Sequence, residues 1–338
     1  MKIFEQSAFK PIIMKKGLGK FEFYLIQLDT ILKAATKTKN AALYLFEKDA
    51  RTKVFMLEGL AKLYAGMHNE KKFTKIKDSF KALEDLLGAV DYYDSFAKDF
   101  ANDKKIPAAI NKFMLAKKTE KLAELNYLLE KKKWINSSKP RTNKIRKRLA
   151  KLDWKNQEQE ISLFGKMYKE SIATINKFYI ANGDSFTNVE TQVHELRRKL
   201  RWLSIYPQAL QGSIQLINSG KADKAVKKYL TKEITTSPFN KMPKQGTHDP
   251  VLFLEQNYFL ALSFTIAALG KLKDKGLRIY AIAEAIKGTE FISEALAMQK
   301  AFKVCGTKET TLDDVLKEAK IICEPFFTED NLGKMLGK

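Results

Sequence analysis

Apolar side chains recur every three to four residues along almost the whole chain. This spacing places them on one face of an α-helix, whereas a half-buried strand would alternate apolar and polar positions. No alternating run bounded by turn residues stands out. We therefore predict an all-α protein, with helices near 21–38, 41–66, 70–99, 106–134, 141–152, 155–181, 187–216, 221–230, 250–273, 276–302 and 311–323.

Turn-forming residues interrupt this pattern at three places. Asn182-Gly183-Asp184-Ser185 falls near the midpoint, Ser219-Gly220 follows the next predicted helix, and the segment 235–250 contains three prolines and Gly246. Glycine and proline are the strongest local breakers of regular structure. We therefore divide the chain into one helical bundle over 1–182 and a second over 183–338, with an insertion near 231–250.

The two halves show a weak similarity to each other. Leu87-Gly88 and Leu269-Gly270 each lie in a helical segment, and each follows a Leu-x-x-Leu helix, Leu57/Leu60 and Leu200/Leu203. A glycine inside a helix costs about 1 kcal/mol relative to alanine, so its recurrence indicates a close helix crossing. This similarity has two possible origins, an internal duplication of the chain or chance.

The charge balance favours an acidic partner. The chain has 61 Lys and Arg against 39 Asp and Glu, a net charge of +22. Residues 101–150 hold 15 basic and 4 acidic residues, a net +11, whereas 251–338 hold 12 of each. Such an uneven excess predicts a localised basic surface for phosphate polymers, nucleic acids or anionic membrane surfaces, and net charge does not choose among them.

Composition narrows the class of protein further. With 45% apolar and 11% aromatic residues, 338 residues can bury a large core, which excludes a disordered polycation. Cys305 and Cys323 are only two and lie near the C-terminus, so they support neither a disulfide framework nor a four-ligand zinc site. Lysines interrupt the N-terminal apolar residues, and the longest apolar run, 258–269, is too short to span a bilayer. We expect a cytoplasmic protein without a membrane span.

The segment 193–206 carries the strongest candidate site. At the helical step, one face is apolar, and the opposite face gathers a histidine and three arginines with no acid among them. Guanidiniums this close repel one another unless an anion lies between them. The alternative is a solvated cationic face with a hydrogen-bonded histidine. The candidate polyanion-binding residues here are His194, Arg197, Arg198 and Arg201.

A second helix repeats the same spacing of cations. Its apolar flank is formed by Ile145, Leu149 and Leu152. If both cationic stripes face one groove, they can hold a linear polyanion through many charge-assisted contacts. The alternative is again a solvated face. The candidate residues of this stripe are Lys144, Lys147, Arg148 and Lys151.

The first stripe resembles the signature of the CHAD family, the conserved histidine alpha-helical domain. The family pattern is approximately His-x-x-Arg-x-x-x-Lys/Arg-x-Leu-Arg-Tyr, and it is matched here by His194, Arg197, Arg201 and Leu203. Ser204 and Ile205 depart from it, and the family's repeated Leu-Gly-x-Leu-Arg-Asp-x-Asp element is half kept, with Asp94 in one copy and Asp274 in the other. In the first half, Arg51 stands at the position of the histidine, and Val54 and Glu58 replace basic residues.

This resemblance implies two pseudo-symmetric antiparallel helical bundles around a basic cavity that binds inorganic polyphosphate. For a cytoplasmic polyphosphate binder we also expect association with polyphosphate granules. Family members are often fused to a triphosphate-tunnel domain with a Glu-x-Glu-x-Lys motif, which is not found near this N-terminus. The metal-dependent activity of that partner domain is therefore not carried over to this chain.

Catalysis receives little support from the sequence. We find no Walker loop, no zinc-ligand pair at a useful spacing and no Gly-x-Ser-x-Gly elbow. Asp91, Asp94 and Asp99 could form a metal-binding face, but acids on a helix more often pair with nearby lysines. We predict a non-enzymatic polyphosphate binder without cofactor or metal. The alternatives are a non-specific nucleic-acid-binding helical protein and, less favoured, a metal-dependent phosphate-ester enzyme. The oligomeric state is left open.

Overall fold

The computed structural model describes residues 16–183, 185–220, 223–246, 249–305 and 311–337. Asp184 and His248, in predicted loops, and residues 221 and 222, at the start of a predicted helix, lie outside these ranges. Helices dominate the described residues, as predicted. They are α1 (Lys16–Ala35), α2 (Ala41–Glu47), α3 (Ala50–Met67), α4 (Glu70–Asn102), α5 (Ala108–Lys131), α6 (Arg141–Ala150), α7 (Gln157–Asn182), α8 (Glu195–Ala209), α9 (Lys232–Thr235), α10 (Gln256–Glu290), α11 (Glu294–Cys305), α12 (Leu312–Thr328) and α13 (Asn331–Met335).

Two short strands correct the prediction of helices over 187–216 and 250–273. β1 (Ile214–Ile217) and β2 (Leu252–Glu255) pair in parallel, with Ile214 opposite Leu252 and Ile217 opposite Glu255. The chain leaves α8 through Gln211 and Gly212, both with positive φ, and so cannot continue the helix. Four residues are too few to display alternation, and their pairing is non-local, so the helical interpretation of these two segments was wrong.

Four further segments differ from the elements predicted from the periodicity. The predicted helix 41–66 is broken at Asp49, whose φ is 50°, so α2 and α3 are separate. The predicted break before Gly276 is absent, because that glycine is buried inside α10, where an added β-carbon would lie 3.4 Å from Val189 Cγ1. Val189–His194 forms a π-helical turn ahead of α8, and the described part of 221–230 forms a 3₁₀ helix over Lys224–Tyr229.

One large core extends through both predicted halves. It contains Phe21, Tyr64 and Phe164 from the first half and Phe259 and Phe326 from the second, all fully buried. A second, smaller core joins the end of α4 and the start of α5 to α10 and α11. Because the two predicted halves share their main core, the core itself marks no boundary between residues 182 and 183. That domain boundary stays a prediction.

Close crossings fix α8 between α3 and α10. A β-carbon added at Gly59 of α3 would lie 3.1 Å from Trp202 Cζ3, and one added at Gly270 of α10 would lie 3.0 Å from Arg197 Nε. The absence of a side chain at these glycines lets the α8 side chains approach the neighbouring helices. Within the ranges that the structure describes, no helix is both long and apolar enough to cross a membrane.

Candidate anion-binding site

A cavity of about 700 Å³ opens where α3, α4, α8 and α10 meet. Residues 46–56 form one wall, and the exposed face of α8 forms another. The segment 233–240, which belongs to the predicted insertion, closes a third side. The arginine helix singled out in the sequence therefore lies at the wall of a concave site.

Three arginines share this cavity. Arg197 and Arg201 reach it from α8, one turn apart, and Arg51 reaches it from α3. The guanidinium of Arg201 lies 4.6 Å from the ring centroid of Phe55, and Phe55 stacks on Trp202 at 5.0 Å. Arg197 Nε donates a hydrogen bond of 3.1 Å to the carbonyl of Ile266. Both α8 arginines are thus held in place by groups that leave their charge uncompensated.

The acids around the cavity are already paired. Arg51 donates to Glu84 at 2.9 Å and to Asp91 at 2.6 Å. The other two acidic residues of the lining, Asp49 and Glu233, pair with Lys53 and Lys271. By contrast, neither Arg197 nor Arg201 has a carboxylate partner among the described residues. The positive charge available to a ligand is therefore that of the two α8 guanidiniums.

The surroundings of Arg201 disfavour its charge. Its side chain is exposed to the open cavity, but protein surrounds it on the other sides. This burial, followed by the charges of Arg197 and Arg51, lowers its pKa to about 10, against the opposing effect of Glu84. Burial also lowers the pKa of Arg197. Both guanidiniums remain charged at neutral pH, and an anion between them would relieve the repulsion.

His194 and Arg198 do not line the cavity. His194 Nδ1 lies 2.8 Å from Glu190 Oε1, and burial lowers the pKa of the imidazole although Glu190 opposes this shift. Arg198 is exposed and pairs with Glu195 at 3.2 Å. Glu190 lies four residues before His194, and Glu195 lies three residues before Arg198. Side chains at these two spacings meet on a helix, so both pairings can be read from the sequence.

The second stripe lies apart from the cavity lining. Helix α6 packs on α1, to which Arg146 is tied through Glu22 and Asp29. The four stripe residues are exposed or half-buried, and none has a carboxylate partner in the described part of the chain. The cavity therefore brings together Arg197 and Arg201 but none of Lys144, Lys147, Arg148 and Lys151.

Arg51 lines the cavity but is not among the residues predicted from the sequence to bind a polyanion. It occupies the position that the alignment of Leu57 with Leu200 gives to the histidine. Gly88 makes room for it, because an added β-carbon would lie 2.9 Å from Arg51 Nη2. Gly270 does the same for Arg197 at 3.0 Å. The two Leu-Gly pairs of the sequence thus each hold an arginine against the cavity.

The acids considered for metal binding are engaged in ion pairs. Asp91 accepts from Arg51, Asp94 from Lys98 and Lys118 at 2.7 Å each, and Asp99 from Arg278 at 2.9 Å. Among the residues with described positions, no group of three or more His, Cys, Asp or Glu side chains could hold a metal ion. Their carboxylates stabilise the packing of α4 against its neighbours.

Comparison of the chain with protein-family models, with characterised proteins and with solved structures finds no match. What the site can bind follows from its own chemistry. Guanidiniums present N–H donors in a fixed planar fork that matches the oxygens of phosphate and carboxylate groups. Two such forks, one turn apart and free of acidic partners, can bind an anion.

Proposed function

We propose that the protein binds inorganic polyphosphate, or another phosphate-rich polyanion, at the cavity of α8 and does not turn it over. The observation that carries this proposal is the pair Arg197 and Arg201, which face one cavity without a carboxylate partner among the described residues. Arginine pairs of this kind recognise phosphate oxygens bidentately. The net charge of +22 favours a ligand with many negative charges.

The resemblance of 193–203 to the CHAD signature supports the same ligand. Arg51 against Gly88 and Arg197 against Gly270 are in keeping with the two pseudo-symmetric bundles which that resemblance implies. A member of that family would have its basic cavity between the two halves. The proposal therefore includes an internal duplication and, in the cell, a cytoplasmic location near polyphosphate granules.

Basic side chains outside the cavity supply the remaining contacts of a long polymer. A chain that leaves the cavity along α8 meets Arg198 and His194, and the stripe on α6 offers a further surface free of acidic partners. Each such contact is weak, so affinity grows with their number and with counterion release. By analogy with nucleic acids, a complex held by about 6 to 10 phosphate contacts should lose a factor of roughly 10³ to 10⁵ in affinity when the salt concentration rises from about 50 to 200 mM.

A titration with a panel of polymers tests this proposal. Long-chain polyphosphate, single-stranded DNA and duplex DNA are compared at equal phosphate concentration and equal salt, with phosphate release followed in parallel. We expect the tightest binding to polyphosphate and no release of phosphate. A preference for either DNA would replace polyphosphate by nucleic acid as the partner, and steady phosphate release would show an enzyme.

A further inference from the structure

Part of the cavity lining is apolar. Phe46, Met56, Ile234, Phe239 and Ile266 all line it. A linear inorganic phosphate chain carries a charge on every unit and cannot remain hydrated against such a wall. This part of the cavity therefore calls for a ligand group that polyphosphate lacks.

Phe239 is the most exposed of these side chains. It is 79% exposed, and no other ring contacts it among the described residues. It belongs to a 3₁₀ turn, Pro238–Asn240. A large aromatic side chain that borders a concave site while remaining open to solvent provides a stacking surface.

The turn that carries Phe239 is fixed to the helices of the site. Gln208 Nε2, from α8, donates to the carbonyl of Phe239 at 3.1 Å and to that of Lys241 at 2.7 Å. Ser263 Oγ, from α10, donates to Asn240 Oδ1 at 2.7 Å. The helix that presents the arginines thus also holds the backbone of the turn that carries Phe239, which fixes the turn relative to the arginines.

The available charge matches a short phosphate group. Arg51 is neutralised by Glu84 and Asp91, which leaves the two guanidiniums of Arg197 and Arg201 for the ligand. Two guanidiniums suit one or two phosphates. A cavity of about 700 Å³ lies within the range of sites for small organic ligands.

We propose that the cavity takes a phosphate ester with an aromatic body, of the nucleoside diphosphate class. Its phosphates lie at Arg197 and Arg201, and its base lies against Phe239. This inference rests on the proposed function, because it uses the same two arginines, and it adds a recognition element that the polymer does not need. A long polyphosphate then reaches the arginines only with its end.

Calorimetric titration of the full chain with ADP and with pyrophosphate tests the proposal, because the two ligands share the diphosphate and differ in the nucleoside. We expect ADP to bind about tenfold more tightly, the size of effect that stacking of one base on an aromatic ring produces. Phe239→Ala should remove most of this advantage and leave pyrophosphate binding unchanged. Phe291→Ala is the matched control, because Phe291 is 92% exposed and does not line the cavity, and it should change neither affinity.

The outcomes separate this inference from the proposed function. Equal affinity for ADP and pyrophosphate, or an unchanged ADP affinity in Phe239→Ala, overturns the aromatic site and leaves the anion site standing. If Arg201→Ala binds both ligands as well as the unchanged protein does, the arginine pair is not the anion site and both proposals fail. Weakening of both ligands by Arg201→Ala, with loss of the ADP advantage in Phe239→Ala, supports both.

Discussion

Arg197 lies against Gly270, so closely that a β-carbon on that glycine would stand 3.0 Å from Nε and 3.1 Å from Nη2 of the guanidinium. The contact holds the arginine at the cavity wall, together with its hydrogen bond to the carbonyl of Ile266. Because an added methyl group must displace the arginine by a few tenths of an ångström, Gly270→Ala should weaken polyphosphate binding about threefold to tenfold. This loss corresponds to about 1 kcal/mol, the typical contribution of a single displaced hydrogen bond.

Gly66→Ala provides the matched control for that substitution. Gly66 lies within α3, and an added β-carbon would meet nothing within 4 Å. Alanine in an open helical position should raise the free energy of unfolding by about 0.5 to 1 kcal/mol and leave binding unchanged. Fluorescence titration and urea unfolding of both variants measure the two effects. A Gly270→Ala protein with undiminished affinity would show that the contact does not position Arg197.

Glu58 should make the stability of the protein depend on pH. It is 7% exposed, and burial, reinforced by Glu84, raises its pKa from 4.5 to about 7. The folded state then binds more protons than the unfolded state between about pH 4.5 and 7, so stability falls as pH rises through that interval. Above pH 7 the resulting loss in the free energy of unfolding reaches about 3 kcal/mol. Lys62, whose pKa is lowered from 10.5 to about 8 by burial, acts above this interval, because there the folded state binds fewer protons than the unfolded state and stability rises with pH.

Urea unfolding at pH 5 and pH 7.5 measures this dependence, with Glu58→Gln as the comparison. At pH 7.5, Glu58→Gln should be more stable than the unchanged protein. Its free energy of unfolding should differ much less between pH 5 and pH 7.5 than that of the unchanged protein. An equal pH dependence in both proteins would place the titrating group elsewhere.

A buried ion pair outside the cavity lining should matter for stability and not for binding. Lys20 Nζ donates to Glu160 at 2.9 Å, and the hydroxyl of Tyr64 donates to the second oxygen of the same carboxylate at 3.0 Å. Lys20→Met would leave a charged carboxylate in the core and should destabilise the fold by about 3 to 5 kcal/mol. Adding Glu160→Gln removes the unpaired charge and should recover most of this loss in urea unfolding. The hypothesis fails if the double variant is no more stable than the single one.

Periodicity predicted the helices well where one apolar face meets the core. Helix α6 is an example, since Ile145 and Leu149 are fully buried. It failed at β1 and β2, because four-residue strands derive their stability from each other across a sequence gap. Periodicity also predicts a break before Gly276 that the continuous α10 does not have, since a sequence does not show that a buried glycine there serves a close contact.

The candidate site was predictable only along α8. The i, i+4 spacing of Arg197 and Arg201 places them on one side of the helix, and both line the cavity. That Arg51 joins them depends on the crossing of α3 and α8, which local spacing does not reveal. Conversely, the pairing of His194 with Glu190 was available in the sequence at a spacing of four residues. Phe239 belongs to a loop whose position is set by hydrogen bonds from Gln208, and no pattern in the chain indicates it.

In the proposed function a cavity, rather than net charge alone, binds the polyanion. Two double variants with the same change in charge test it most directly, Arg197→Ala with Arg201→Ala and, as the control, Lys144→Ala with Lys147→Ala. Both lysines are exposed and lie outside the cavity lining. The dissociation constant of long-chain polyphosphate, measured at equal salt, should rise at least tenfold in the arginine variant and about twofold or less in the lysine variant. Equal losses in the two variants would contradict the account.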